Sequence, residues 1–220
     1  MRHVTPRKPA GPAARGAGPS TVEISTGGGP ARVWVDAPET ATFLLAMTHG
    51  AGGGADTRDL LAVRDAAVPR GGVVARVLQP YRVRGARAPG APGPQDAAWL
   101  EIIAALQDQH RGLPLVQGGR SNGARVACRT ATRAGAVAVV ALAFPLHPPG
   151  RPEQTRVEEL RGAGVPVLVV NGDRDPFGIP GRQDAAQVVV IPGETHSLSK
   201  KPAAVGEAVG SWLSQVLPDS

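Results

Sequence analysis

The stretch LPLVQGGRSNGARVACRTAT, from Leu113 to Thr132, decides how the rest of the chain is read. Its opening residues, Leu113–Gln117, are a short apolar run that ends at glycine, which predicts a buried β-strand. Asn122–Thr132 reads as a helix. Between them stands Gly119-Arg120-Ser121-Asn122-Gly123, a G-x-S-x-G pentapeptide at a strand–turn–helix junction. Its glycines let the backbone turn sharply without a Cβ clash. The serine then lands at a helix N-terminus, where amide N–H groups favour developing negative charge. A glycine-rich turn that merely packs a strand on a helix can carry the same letters, so the partners elsewhere in the chain matter.

Outward from that junction the chain alternates short apolar runs with helical patterns. Val22–Ser25 and Ala31–Val35 flank a Gly-Gly-Gly-Pro turn and predict an antiparallel hairpin. Strands are predicted at Thr42–Thr48, Val73–Leu78, Ala136–Phe144, Val165–Val170 and Gln187–Ile191, and helices at Thr57–Val68, Gln95–Gln109, Gln154–Arg161 and Ala203–Leu217. Gln79–Pro94, rich in Pro, Gly and Arg, reads as a loop. The order implies right-handed crossovers and an α/β fold: a mostly parallel sheet with helices on both faces. Strands that are apolar throughout, rather than alternating, suit burial on both sides.

A serine hydroxyl needs a base to become a nucleophile, and the base needs an acid to orient it. In this strand–turn–helix setting the expected chain order is serine, acid, histidine. Asn171-Gly172-Asp173-Arg174-Asp175-Pro176 follows the strand Val165–Val170, and Pro192-Gly193-Glu194-Thr195-His196 follows Gln187–Ile191. Both segments fall at the carboxyl edge of the sheet, where α/β chemistry sits. Of the five histidines, His3 lies near the N-terminus and His110 at the end of a surface helix, whereas His196 alone has the position of the base. His147, in a Pro-rich loop, is a candidate substrate contact with a structural role as the alternative. The loop Thr48-His49-Gly50-Ala51-Gly52-Gly53-Gly54 is a second glycine-rich element. It is suited to offer one oxyanion donor, the Ala51 amide, beside that of Asn122. His49 and Gly50 are candidates for contact with substrate, His49 reading more naturally as a structural hydrogen-bonder than as a base. No Gly-Lys-Ser/Thr follows these glycines, so they do not form a phosphate loop. Arg84, Arg87 and Arg120 belong to loops expected to border the site and could select an anionic substrate, or be solvated surface groups.

At these residues, across roughly Val22 to Leu217, the chain resembles the α/β-hydrolase superfamily. More narrowly it is similar to small bacterial hydrolases of the dienelactone-hydrolase-like kind, a group whose domain also occurs in a eukaryotic chromatin-complex subunit. The stretches that carry the resemblance are Thr48–Gly52, Gly118–Arg125, Phe144–Gly150, Gly172–Gly178 and His196–Leu198. The resemblance implies Ser121, Asp175 and His196 as catalytic triad, with Asp173 as the reserve acid. It implies ester or thioester hydrolysis through an acyl-enzyme, with no cofactor and no metal. Only about Leu146–Gly164 lies between strands where larger relatives carry a cap, so the expected site is open and shallow. A binding or scaffold module that keeps the fold without turnover is the alternative.

Composition sets the outer limits. The 220 residues, 42% of them apolar, suit one domain with one sizeable core. The net charge is +6, but Arg2, Arg7, Lys8 and Arg15, with no acid among residues 1–20, account for four of those charges. That Pro/Gly/Ala/Arg-rich segment predicts a disordered basic tail, with the hydrolase-like domain at 21–220. No stretch interleaves basic and aromatic residues, which argues against a nucleic-acid partner. A lone Cys128 excludes an internal disulfide and any multi-cysteine metal site, and reads as a small buried hydrophobe. The absence of an 18-residue apolar run and of a signal-peptide h-region predicts a cytoplasmic protein. The hydrolase reading makes its expected partner a small-molecule ester or acyl substrate, with no membrane partner.

Overall fold

A computed structural model of the protein describes residues 19–217. They form one eight-stranded sheet in the order β1-β2-β4-β3-β5-β6-β7-β8. The hairpin of β1 (Ser20–Thr26) and β2 (Gly29–Asp36) runs first, and β2 lies antiparallel to both its neighbours. The other strands, β3 (Phe43–Thr48), β4 (Gly72–Leu78), β5 (Leu115–Arg120), β6 (Ala138–Leu142), β7 (Val167–Gly172) and β8 (Gln187–Ile191), pair in parallel. Ser20 pairs with Val35, so the domain starts a residue earlier than composition suggested. Residues 1–18 of the expected tail lie outside the described residues.

Side chains on a strand alternate between faces, so an apolar strand feeds two cores at once. On β3, Leu44 and Ala46 join one cluster with Trp99, Ile102, Ile103 and Leu106 of α3 (Pro92–Gln109) and Ala124 and Ala127 of α4 (Asn122–Ala134). Phe43, Leu45 and Met47 join the other, with Leu60 and Val63 of α1 (Arg58–Ala67) and Val205, Val209 and Trp212 of α6 (Pro202–Val216). At about 25 cal/mol per Å2 of apolar surface removed from water, these two layers supply the main driving force for folding. Buried Gln117 ties β5 to the helices above it. It accepts from Trp99 Nε1 at 2.9 Å and donates to the Ala127 carbonyl at 2.8 Å.

Two differences from the sequence expectation matter for the site. The supposed loop Gln79–Pro94 contains a short helix, α2 (Pro80–Val83), and the first turn of α3, which begins at Pro92 rather than Gln95. In both, proline occupies a first-turn position, where its missing N–H removes no helical bond. The connection from β6 to β7 holds only one short helix, α5 (Val157–Arg161), so no cap domain covers the carboxyl edge.

Candidate active site

The turn after β5 brings backbones close enough that only glycine fits. A Cβ on Gly119 would stand 2.7 Å from the Thr48 carbonyl oxygen and one on Gly123 2.6 Å from the same atom. Between them Ser121 takes φ 53 and ψ −112, a conformation that L-residues rarely adopt. Its amide donates to the Leu142 carbonyl at 2.8 Å, which fixes the turn to β6.

That geometry presents the hydroxyl to His196. Ser121 Oγ lies 2.8 Å from His196 Nε2, and His196 Nδ1 lies 2.8 Å from Asp175 Oδ2. The Asp175 side chain is fully buried, yet its oxygens are satisfied: Oδ1 accepts from the Phe177 amide at 2.9 Å and Oδ2 from Asn171 Nδ2 at 3.2 Å. Phe177 also stacks edge-to-face on the His196 ring, 4.4 Å between centroids. The sequence-predicted Ser121, Asp175 and His196 therefore meet in one row. Asp173 stands apart at the surface, where its Oδ1 accepts from the Gly193 amide at 2.7 Å.

A cleft of about 610 Å3 opens over Ser121. Gly50, Ala51 and Asn122 line it, as expected of an oxyanion loop, and so does Arg120. Arg120 is not free to meet a substrate, however. Its Nη2 donates to the His196 carbonyl at 2.9 Å, and its Nε stands 3.1 Å from Oδ2 of the fully buried Asp59 without hydrogen-bond alignment. Burial outweighs that neighbouring cation and raises the Asp59 carboxyl above its ordinary value. Arg120 thus braces the His196 loop from behind.

Four further candidates, His49, His147, Arg84 and Arg87, fall outside the cleft lining. His49 is fully buried, with Nδ1 2.7 Å from the Gly50 carbonyl oxygen and Nε2 accepting from the Gln79 amide at 3.0 Å. Burial pushes its imidazole down to about 4, so it is a neutral structural group. His147 is packed on Gly178 rather than turned to the cleft: a Cβ on Gly178 would meet its Nε2 at 2.6 Å. Arg84 reaches back to the Gly28 carbonyl in the β1–β2 turn, and exposed Arg87 does not line the cleft either. Cys128 is buried, its thiol pushed up to about 12 by burial and by Glu159.

Sequence reasoning passed over the residues that hold the glycine-rich loop Gly50–Gly54. Tyr81 Oη donates to the Ala51 carbonyl and Arg82 Nε to the Gly53 carbonyl, each at 2.9 Å. Both sit on α2, and Pro80 directly after a strand was the available signal. Arg125 and Phe177 lie within the stretches that carry the resemblance, but neither they nor Asn171 and Arg156 were given a role by any local pattern. Among the described residues no three His, Cys, Asp or Glu side chains gather as a metal site, and no helix is long and apolar enough to cross a membrane.

The fold and the row at its carboxyl edge define an α/β-hydrolase architecture, and comparison with known proteins agrees. The family described as an alpha/beta hydrolase domain matches residues 39–207, and the chain belongs to that family. Among solved structures, a lidless α/β serine hydrolase from Xanthomonas campestris superposes with a TM-score of 0.71 at 19% identity, covering 97% of this chain and all of the other. The dienelactone hydrolase of Anabaena variabilis gives 0.71 at 19% identity over 92% of this chain and 100% of its own. Est1E from Butyrivibrio proteoclasticus gives 0.67 at 19%, over 90% and 98%. These likenesses are of fold. No curated protein matches the sequence.

Proposed function

We propose that the protein is a cytoplasmic serine hydrolase that cleaves a carboxylic ester or thioester through an acyl-enzyme on Ser121. His196 Nε2 takes the hydroxyl proton as Oγ bonds to the acyl carbon, and the carbonyl electron pair moves to oxygen. The amides of Ala51 and Asn122 hold that oxyanion. Collapse breaks the bond to the alcohol or thiol, which leaves with the proton from His196. Water then repeats the sequence on the acyl-enzyme and releases the carboxylic acid. Asp175 keeps Nδ1–H aligned and stabilises the imidazolium that forms in each half. The observation that carries this reading is the unbroken row from Ser121 Oγ through His196 to Asp175, two contacts of 2.8 Å. Structural neighbours that are a serine hydrolase and an esterase domain point the same way.

A fluorophosphonate probe tests it. The wild-type protein is expected to be labelled and to hydrolyse short p-nitrophenyl esters, and Ser121→Ala to do neither. An unlabelled wild type with no turnover would leave a binding module on a hydrolase fold.

A further inference from the structure

The charge on the cleft wall is unbalanced. Three arginines line it, Arg120, Arg125 and Arg156, and no acidic side chain does. Arg120 stands against Asp59, as described above. Arg125 is held in a fork by Glu159, Nε to Oε2 at 2.7 Å and Nη2 to Oε1 at 2.6 Å. Arg129 also reaches Glu159 Oε2, at 3.4 Å, and is itself forked onto Asp96. Burial alone would raise the Glu159 carboxyl, but the two guanidinium groups hold it below its ordinary value. Its charge is therefore already shared between Arg125 and Arg129. Arg156 is left over: among the described residues it has no carboxylate within ion-pair distance.

A guanidinium carries five N–H donors. Arg156 spends one, from Nη1 to the His147 carbonyl at a long 3.4 Å. It is half-buried, and its burial and the charges of Arg125 and Arg129 press its pKa downward, only partly offset by the more distant Glu159 carboxylate. A lone cation in that setting costs free energy unless something binds it. Its backbone is nevertheless pinned. The Arg156 amide donates to the Leu146 carbonyl at 2.8 Å, which closes the loop over the site, and its carbonyl accepts from the Glu159 amide at 3.0 Å. Pro145, Pro149 and Phe177 make the surrounding wall apolar and Ser121 lies in the same cleft. The arrangement is a backbone-anchored guanidinium with no ion-pair partner and four donors to spare, in the same cleft as the serine.

We propose that Arg156 forms an anion subsite and that the substrate is an ester or thioester bearing a free carboxylate elsewhere on its chain. The proposal rests on the serine-hydrolase reading above and narrows its substrate class. A carboxylate matches the subsite because one unpaired guanidinium balances one negative charge and offers two parallel donors. A dianionic phosphate would keep one charge uncompensated, since Arg125 is already forked onto Glu159.

The test uses p-nitrophenyl monoesters of adipic and suberic acid against the neutral hexanoate and octanoate of equal length. The readout is the ratio of kcat/KM for the acidic ester over its neutral partner, which cancels general effects on folding and on the serine. Arg156→Gln is expected to lower that ratio at least about tenfold, and Arg156→Lys, which keeps the charge, to restore much of it. Raising salt should lower the wild-type ratio and leave that of Arg156→Gln flat. Turnover of the neutral esters, with Ser121 labelled but the ratio unmoved by Arg156→Gln, would overturn the subsite alone. A phosphonate-tipped ester of the same length preferred over the carboxylate would overturn the assignment to a monoanion. No turnover of any ester, with Ser121 unlabelled, would overturn the hydrolase reading and this one with it.

Discussion

Two histidines stand beyond the carboxyl ends of parallel strands, His49 directly after β3 and His196 a short turn after β8, and their surroundings assign them opposite work. Both His49 nitrogens are consumed by backbone, one facing the Gly50 carbonyl and the other accepting from the Gln79 amide. Around it Gln79 Nε2 donates to Thr48 Oγ1 and Gln95 Nε2 to Gln79 Oε1, a buried and satisfied polar network. His196 instead faces a carboxylate with one nitrogen and a hydroxyl with the other, and its side chain remains 17% exposed. With Nδ1 protonated toward Asp175, the Nε2 lone pair is aimed at the Ser121 proton. Residue type and position in the strand-end loop are shared. The partners decide which histidine can move a proton.

Exchanging each for glutamine should separate the two roles. His196→Gln is expected to lower kcat on a short p-nitrophenyl ester by about 10,000-fold, while the urea midpoint stays near that of wild type. His49→Gln should do the reverse. Loss of a buried, doubly bonded imidazole costs roughly 2 kcal/mol of stability, and the folded fraction keeps turnover within about tenfold of wild type. Comparable loss of turnover from both variants would show that the His49 network reaches the chemistry.

The pH dependence of stability should distinguish them further. In the folded protein His49 is pushed down to about 4 from an ordinary 6.5. Between those values the unfolded chain binds a proton that the folded protein does not, so stability rises with pH across the window. The contribution is full above 6.5 and is lost as pH falls toward 4. On going from pH 7 to pH 5 the wild type should lose about 2 kcal/mol more than His49→Gln, as read from urea denaturation midpoints. Equal losses in the two proteins would contradict a neutral, buried His49.

The same contrast explains what was legible in the sequence. Ser121, His196 and the turn that holds Asp173 and Asp175 could be located because each sits at a strand end, marked by an apolar run that stops at glycine or at a turn. The preference for Asp175 came from the family resemblance. Asp173 and Asp175 share one such turn, and two residues of chain separate a surface cap on Gly193 from a buried group in the row. Only the path of the turn tells them apart. Arg120 and His49 were legible as neighbours of the site but not in their direction. Arg120 lines the cleft yet is held by buried Asp59, and His49 turns to the Gln79 amide, partners distant in sequence. Arg125 and Arg156 were hidden for the same reason. Their difference lies in Glu159, which forks onto Arg125 and makes no ion pair with Arg156. Helix α2 was missed because a proline-led single turn inside a Pro/Gly/Arg segment has no periodicity to read.

That missed helix carries the smallest effect expected. Tyr81 Oη is the side-chain donor to the Ala51 carbonyl, and burial pushes its phenol up to about 12, so it stays a donor at any working pH. Tyr81→Phe keeps the ring and its edge-to-face packing on His49, 5.7 Å between centroids, and removes only the donor. The expected cost in stability is about 1 kcal/mol. If the Ala51 amide serves the oxyanion, a loosened loop weakens an interaction that exists only in the transition state. The loss, a few-fold, should then fall on kcat with KM nearly unchanged. A rise in KM at constant kcat would instead mean that this loop grips the ground-state substrate, and the oxyanion donors would have to be sought at the start of α4 alone.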